Sequence, residues 1–160
     1  MTKGLSAIDR GVELLVAAIL AAMVVVGTLQ VLHRLVLNSS LSWSEEAQVF
    51  GHIGVVFLGI PVAYRRGAHL FIDTFRDMYP PLVRAGFDLL VELMWFSFAV
   101  SLMALGWQVS RVAALQESPG LEVPMSYPYY AMVAGGAYLA LVALQRMVAW
   151  GRQHIDRVKS

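Results

Sequence analysis

The chain has 160 residues, the size of one ordinary domain, with 58% apolar and 14% charged residues. Soluble domains carry about 45–50% and about 25%, and a globule this small has too much surface for so few charges to cover, so lipid is the expected solvent. The net charge of +1 supplies no field toward nucleic acid or acidic ligands, and the absence of cysteine removes disulfides, thiolate metal sites and thiol redox chemistry.

A helix rising about 1.5 Å per residue needs about 20 apolar residues to cross a hydrocarbon core of about 30 Å. Four such runs predict an all-α integral membrane protein, a single membrane domain over residues 1–160. The first run, Leu14 to Leu32, has no formal charge. It is too long for the apolar part of a signal peptide, and no clear small-residue cleavage site follows it, so it reads as retained. Asn38-Ser39-Ser40 then breaks the chain. The loop closes on Ser42-Trp43-Ser44-Glu45-Glu46. Ser42 and Glu45 have the spacing of a capping box, and Trp43 has the amphipathic ring that seeks the headgroup level. A capped, anchored helix start explains these residues; contact with a partner is the other reading.

The second run, Ala47 to Tyr64, leads into Arg65-Arg66-Gly67-Ala68-His69 and, four residues on, Asp73. Phe71, Phe75, Met78 and Tyr79 fall on one helical face opposite Asp73, Arg76 and Asp77, which predicts a short amphipathic helix lying in the membrane interface. His69 and Asp73 are spaced to share that helix's face; two ligands do not make a metal site, and a local hydrogen bond or ion pair accounts for them. Pro80-Pro81 breaks the chain before the third run, Phe87 to Val109, near whose start Arg84, Asp88 and Glu92 are spaced one turn apart as a ladder. Ionisable groups inside a span point to function by default, and here a helix contact and an ion relay both stay open. The fourth run, Tyr127 to Trp150, follows Ser118-Pro119-Gly120.

Lys3 and Arg10, then Arg65, Arg66, Arg76 and Arg84, then Arg146, Arg152, Arg157 and Lys159 account for ten of the twelve basic residues. The positive-inside rule therefore puts both termini and the middle loop in the cytoplasm. The other two loops hold Arg34, Arg111, Glu45, Glu46, Glu117 and Glu122 and face outward. His33 and His52 fall at similar depth and raise a haem between helices, with spacing as the only support. Ala47 with Gly51, and Gly136 with Ala140, give small-xxx-small steps suited to close helix packing. There is no phosphate loop, HExxH, GxSxG or paired nucleophile, so no enzyme activity and no cofactor is expected.

Taken together, Trp43 to Glu46 before the second span, Arg65 to Asp73 after it, and two further spans entered through Leu121-Glu122-Val123-Pro124-Met125 resemble the small permease component of tripartite ATP-independent periplasmic (TRAP) transporters, the DctQ-like or Q subunit. The resemblance implies a bacterial inner-membrane subunit that holds neither substrate nor ion. It would scaffold a large multi-spanning permease, which takes an organic acid from a periplasmic binding protein and moves it inward with sodium. Trp43, Glu45 and Glu46 would then lie near the large subunit or the docking face. Arg65, Arg66, Gly67, His69 and Asp73 would organise the inner loop. Asp88 and Glu92 match no motif of the family. Other readings are a self-sufficient small transporter working as a homodimer with Glu92 as its coupling carboxylate, a haem-bearing electron-transfer subunit, or an assembly protein. Whether the spans form a compact bundle or a splayed sheet stays open, since apolar length does not fix tilt.

Overall fold

Four helices account for nearly all of the computed structural model, which describes residues 3–39, 41–66 and 80–159. The first, α1 (Lys3–Leu37), carries its apolar run well past both expected ends and stops where Asn38 takes φ 51°, a left-handed conformation that asparagine tolerates at a helix end. The second, α2 (Ser42–Arg65), starts five residues before the expected span, so Trp43 to Glu46 lie inside the helix. Its successor α3 (Pro81–Ala113) opens on a proline whose missing N–H would have had no intrahelical partner. The last is α4 (Tyr127–Lys159). Apolar runs measure hydrocarbon thickness, whereas backbone hydrogen bonding carries a helix on until a turn or proline stops it; all four helices therefore exceed their runs. Each contains a segment long and apolar enough to cross a membrane: Ala7–Leu37, Ser42–Arg65, Val83–Ala113 and Tyr127–Gly151. The expected interfacial helix, with Gly67, His69 and Asp73, lies outside the described residues.

The helices form an open layer in the order α1, α2, α4, α3. α4 lies between α2 and α3, while α1 packs chiefly along α2 and meets α4 where Tyr138 reaches Asp9. The tightest core is built by Tyr64 of α2, Ala99 and Leu102 of α3, and Tyr138, Leu139, Val142 and Ala143 of α4. Two adjacent glycines let α4 serve both neighbours. A Cβ at Gly135 would collide with the Phe57 carbonyl of α2, and one at Gly136 would come within 3.0 Å of the Ala99 carbonyl of α3. The Phe57 carbonyl is special because Pro61, buried four residues on, has no N–H to give it. With no Cβ, Gly135 lets the α4 backbone close on that carbonyl.

The α1–α2 seam uses the same device with a side chain. Gln48 donates from Nε2 to the Met23 carbonyl of α1 over 2.6 Å, and Gly27 leaves the room, since a Cβ there would stand 3.1 Å from that nitrogen. Gly51, half of one small-xxx-small step, seats against Met23, while Gly136, half of the other, seats against α3. The sheet-like arrangement leaves the apolar window of α1 with no buried residue.

Candidate functional site

Polar side chains gather at the two ends of the layer. At the end shared by both termini, Arg65 of α2 reaches Asp9 of α1 at 2.5 Å and the Gln145 amide oxygen of α4 at 3.5 Å. The Tyr138 hydroxyl donates to the same Asp9 carboxylate. Beside it, through the neighbouring residues Tyr64 and Arg146, Glu92 of α3 accepts from the Tyr64 hydroxyl and pairs with Arg146 of α4 at 3.7 Å. The Arg146 guanidinium lies 4.6 Å over the Tyr64 ring and reaches the Tyr64 carbonyl at 3.4 Å, while Trp95 covers the ring from α3 at 4.7 Å. Two cations thus meet two carboxylates, with tyrosine hydroxyls and an amide supplying further hydrogen bonds. The group ties all four helices together and is neutral as a whole. Arg66 pairs with Glu13 at 2.7 Å on the exposed side.

The expected ladder is therefore recast at its deepest rung. Glu92 turns toward α2 and α4, because a carboxylate in an apolar layer is stabilised most by a cation and a hydroxyl brought by neighbouring helices. Arg84 and Asp88, in the two turns before it, are partnered as well. Asp9, Tyr64, Tyr138, Gln145 and Arg146 escaped the sequence reading as a group. For Asp9, Tyr64, Gln145 and Arg146 the available signal was a polar or amphipathic residue at or near the end of a span; Tyr138, near the middle of the fourth span, carried no such signal.

At the opposite end the expected capping box is corrected. Leu41, with extended backbone, holds the cap position of α2, and no side chain caps it; Ser42 is already helical and cannot take that role. The buried Ser44 hydroxyl donates to the Leu41 carbonyl over 2.7 Å. Glu45 is exposed in the first turn. Glu46 reaches across to the α3–α4 connection, where one carboxylate oxygen accepts from the Ser118 hydroxyl, from the Gly120 N–H at 2.9 Å and from the Leu121 N–H at 3.0 Å. That connection is a tight hairpin, with Ser118 N–H to Val123 carbonyl 2.9 Å and Met125 N–H to Gln116 carbonyl 3.0 Å. Trp43 stands partly exposed beside it. Ser118 and Gly120 were visible in the sequence only as a turn.

His33 turns back to the α1–α2 connection, its Nδ1 3.0 Å from the Ser39 carbonyl, and His52 is exposed on α2. Among the described residues no three His, Cys, Asp or Glu side chains come together as a metal site would need.

Four apolar helices with their charges gathered at the two ends define a multi-pass membrane protein. The chain belongs to the DctQ component family of tripartite ATP-independent periplasmic transporters, whose family model matches residues 11–152. It is 26% identical over 135 residues to the sialic acid TRAP transporter small permease protein SiaQ of Vibrio cholerae, covering 84% of this chain and 78% of that one. A putative TRAP transporter small permease protein of Haemophilus influenzae is 23% identical over 142 residues, covering 89% and 88%. A further match, 39% over 67 residues, is to the sialic acid TRAP transporter permease protein SiaT of Haemophilus influenzae and spans 42% of this chain but 11% of that protein. The resemblance to the small permease component is thereby established.

Proposed function

We propose that this chain is the small membrane subunit that braces a large permease for binding-protein-dependent, sodium-coupled uptake of an organic acid across the bacterial inner membrane. It lies with both termini and the Arg65–Arg66 end in the cytoplasm and the Glu46 end outward. It carries no catalytic, substrate or cofactor site of its own. The observation that carries the reading is the open layer: α1 packs chiefly on one neighbour, and no residue of its apolar window is fully buried. Such a layer presents large faces to a partner, and α3 adds an apolar groove of about 460 Å³ lined by Val91, Met94, Trp95 and Phe98. The SiaT match supports a large multi-spanning permease as the partner. On this reading the outer end is where a periplasmic binding protein docks. The sialic acid named for two relatives is a carboxylate, which supports the organic-acid class.

Glu92 supports this reading over a self-sufficient transporter, since its oxygens are engaged by Arg146 and Tyr64, leaving no free carboxylate there to carry an ion. The test is to tag the chain, solubilise native membranes gently and identify stoichiometric companions by mass spectrometry. A large multi-spanning permease is expected. Recovery of the chain alone or only with itself would overturn the scaffold reading.

A further inference from the structure

Three donors of one turn converge on a single oxygen of Glu46, and that turn belongs to a connection 72 to 75 residues away in sequence. The fit is close. A Cβ at Gly120 would stand 2.9 Å from the Ser42 carbonyl and 3.0 Å from the Trp43 Cα, so the turn sits directly on the first turn of α2. Within the turn Glu122 is held at φ 54°, a conformation that a side chain disfavours, and its N–H is fixed 2.9 Å from the Ser118 carbonyl. Glu117 and Glu122 are exposed on this hairpin, with Trp43 and Glu45 exposed on the helix start beneath it. The core of Tyr64, Ala99, Leu102, Tyr138 and Leu139 lies elsewhere in the layer, so the turn's attachment is separate from the packing of the helices.

We infer that Glu46 is a positioning residue for docking: its carboxylate presets the hairpin and so sets how tightly the loaded binding protein engages this face, leaving the translocation step unaffected. A surface ordered beforehand loses less freedom when the partner arrives, and that difference appears as affinity. The inference rests on the function proposed above, in which this end faces outward and receives a binding protein.

The test uses the complete transporter, this chain with its large permease, reconstituted in vesicles, with uptake rate measured against the concentration of loaded binding protein. Glu46→Ala is expected to raise KM for the binding protein about tenfold with the maximal rate within about twofold. Glu46→Gln, whose amide oxygen still accepts hydrogen bonds, should fall between. The chain has no cysteine, so a spin label on Glu117→Cys reports the hairpin directly, and Glu46→Ala should sharpen its spectrum toward free motion. An unchanged KM, a loss confined to maximal rate, or a label indifferent to Glu46 would each overturn the inference. If Glu46→Ala does not assemble, Ser118→Ala, which removes one donor, is titrated in the same way, and an unchanged KM overturns it. Wild-type uptake that ignores the binding protein would overturn the proposed function and this inference together.

Discussion

Glu92 and Arg146 show what a charge inside an apolar layer requires. With a side-chain exposure of 15%, the carboxylate is stabilised by a cation from α4 and a hydroxyl from α2. Removing the cation leaves a charge with too little solvent. Arg146→Ala is therefore expected to destabilise the protein by about 2–3 kcal/mol, below the usual cost of breaking a buried pair because Arg146 is 37% exposed. Thermal unfolding of the purified protein in detergent measures it. Adding Glu92→Gln should recover most of the loss, since the neutral amide no longer needs the cation; equal losses in single and double variants would mean that the pair is not coupled. Glu92 was legible as an ionisable residue inside a span, and Glu46 only as part of the motif Trp43 to Glu46. Their partners were not, because Tyr64, Arg146 and Ser118 lie 28, 54 and 72 positions away and nothing local marks them.

Helix crossings in lipid depend on close backbone approach more than on apolar character, since lipid tails are as apolar as the side chains. The α2–α4 crossing places Gly135 against the carbonyl that Pro61 leaves bare. Gly135→Ala should force the two helices apart and cost about 1–3 kcal/mol or more, as overpacking does. Gly59→Ala on α2, where a Cβ meets nothing within 4 Å, is the matched control and should be neutral or slightly stabilising. The same detergent melts distinguish them, and comparable behaviour of the two variants would remove the crossing argument. Gly136 and Ala140 suggested such a contact from spacing alone, whereas Gly135, which has the closer approach, belongs to no noted step.

At the scale of the molecule, the orientation is the consequence to check. Ten of twelve basic residues lie in segments that the proposed topology puts in the cytoplasm. In this cysteine-free chain, Glu117→Cys should react with a membrane-impermeant maleimide added to intact cells, and Arg66→Cys should react only after permeabilisation. The reverse pattern would invert the proposed topology.

Four apolar runs, their breakers and the acid and base balance of the loops follow from composition and order along the chain, because burial in lipid is decided residue by residue. Helix order across the layer is of another kind. That α4 inserts between α2 and α3, that α1 packs chiefly on α2, and that Glu46 grips the α3–α4 hairpin depend on which surfaces meet. Those choices rest on contacts between residues far apart in the chain, such as Gln48 with Met23 and Gly135 with Phe57. Their energy exists only once the helices are side by side, so only the tertiary structure decides them.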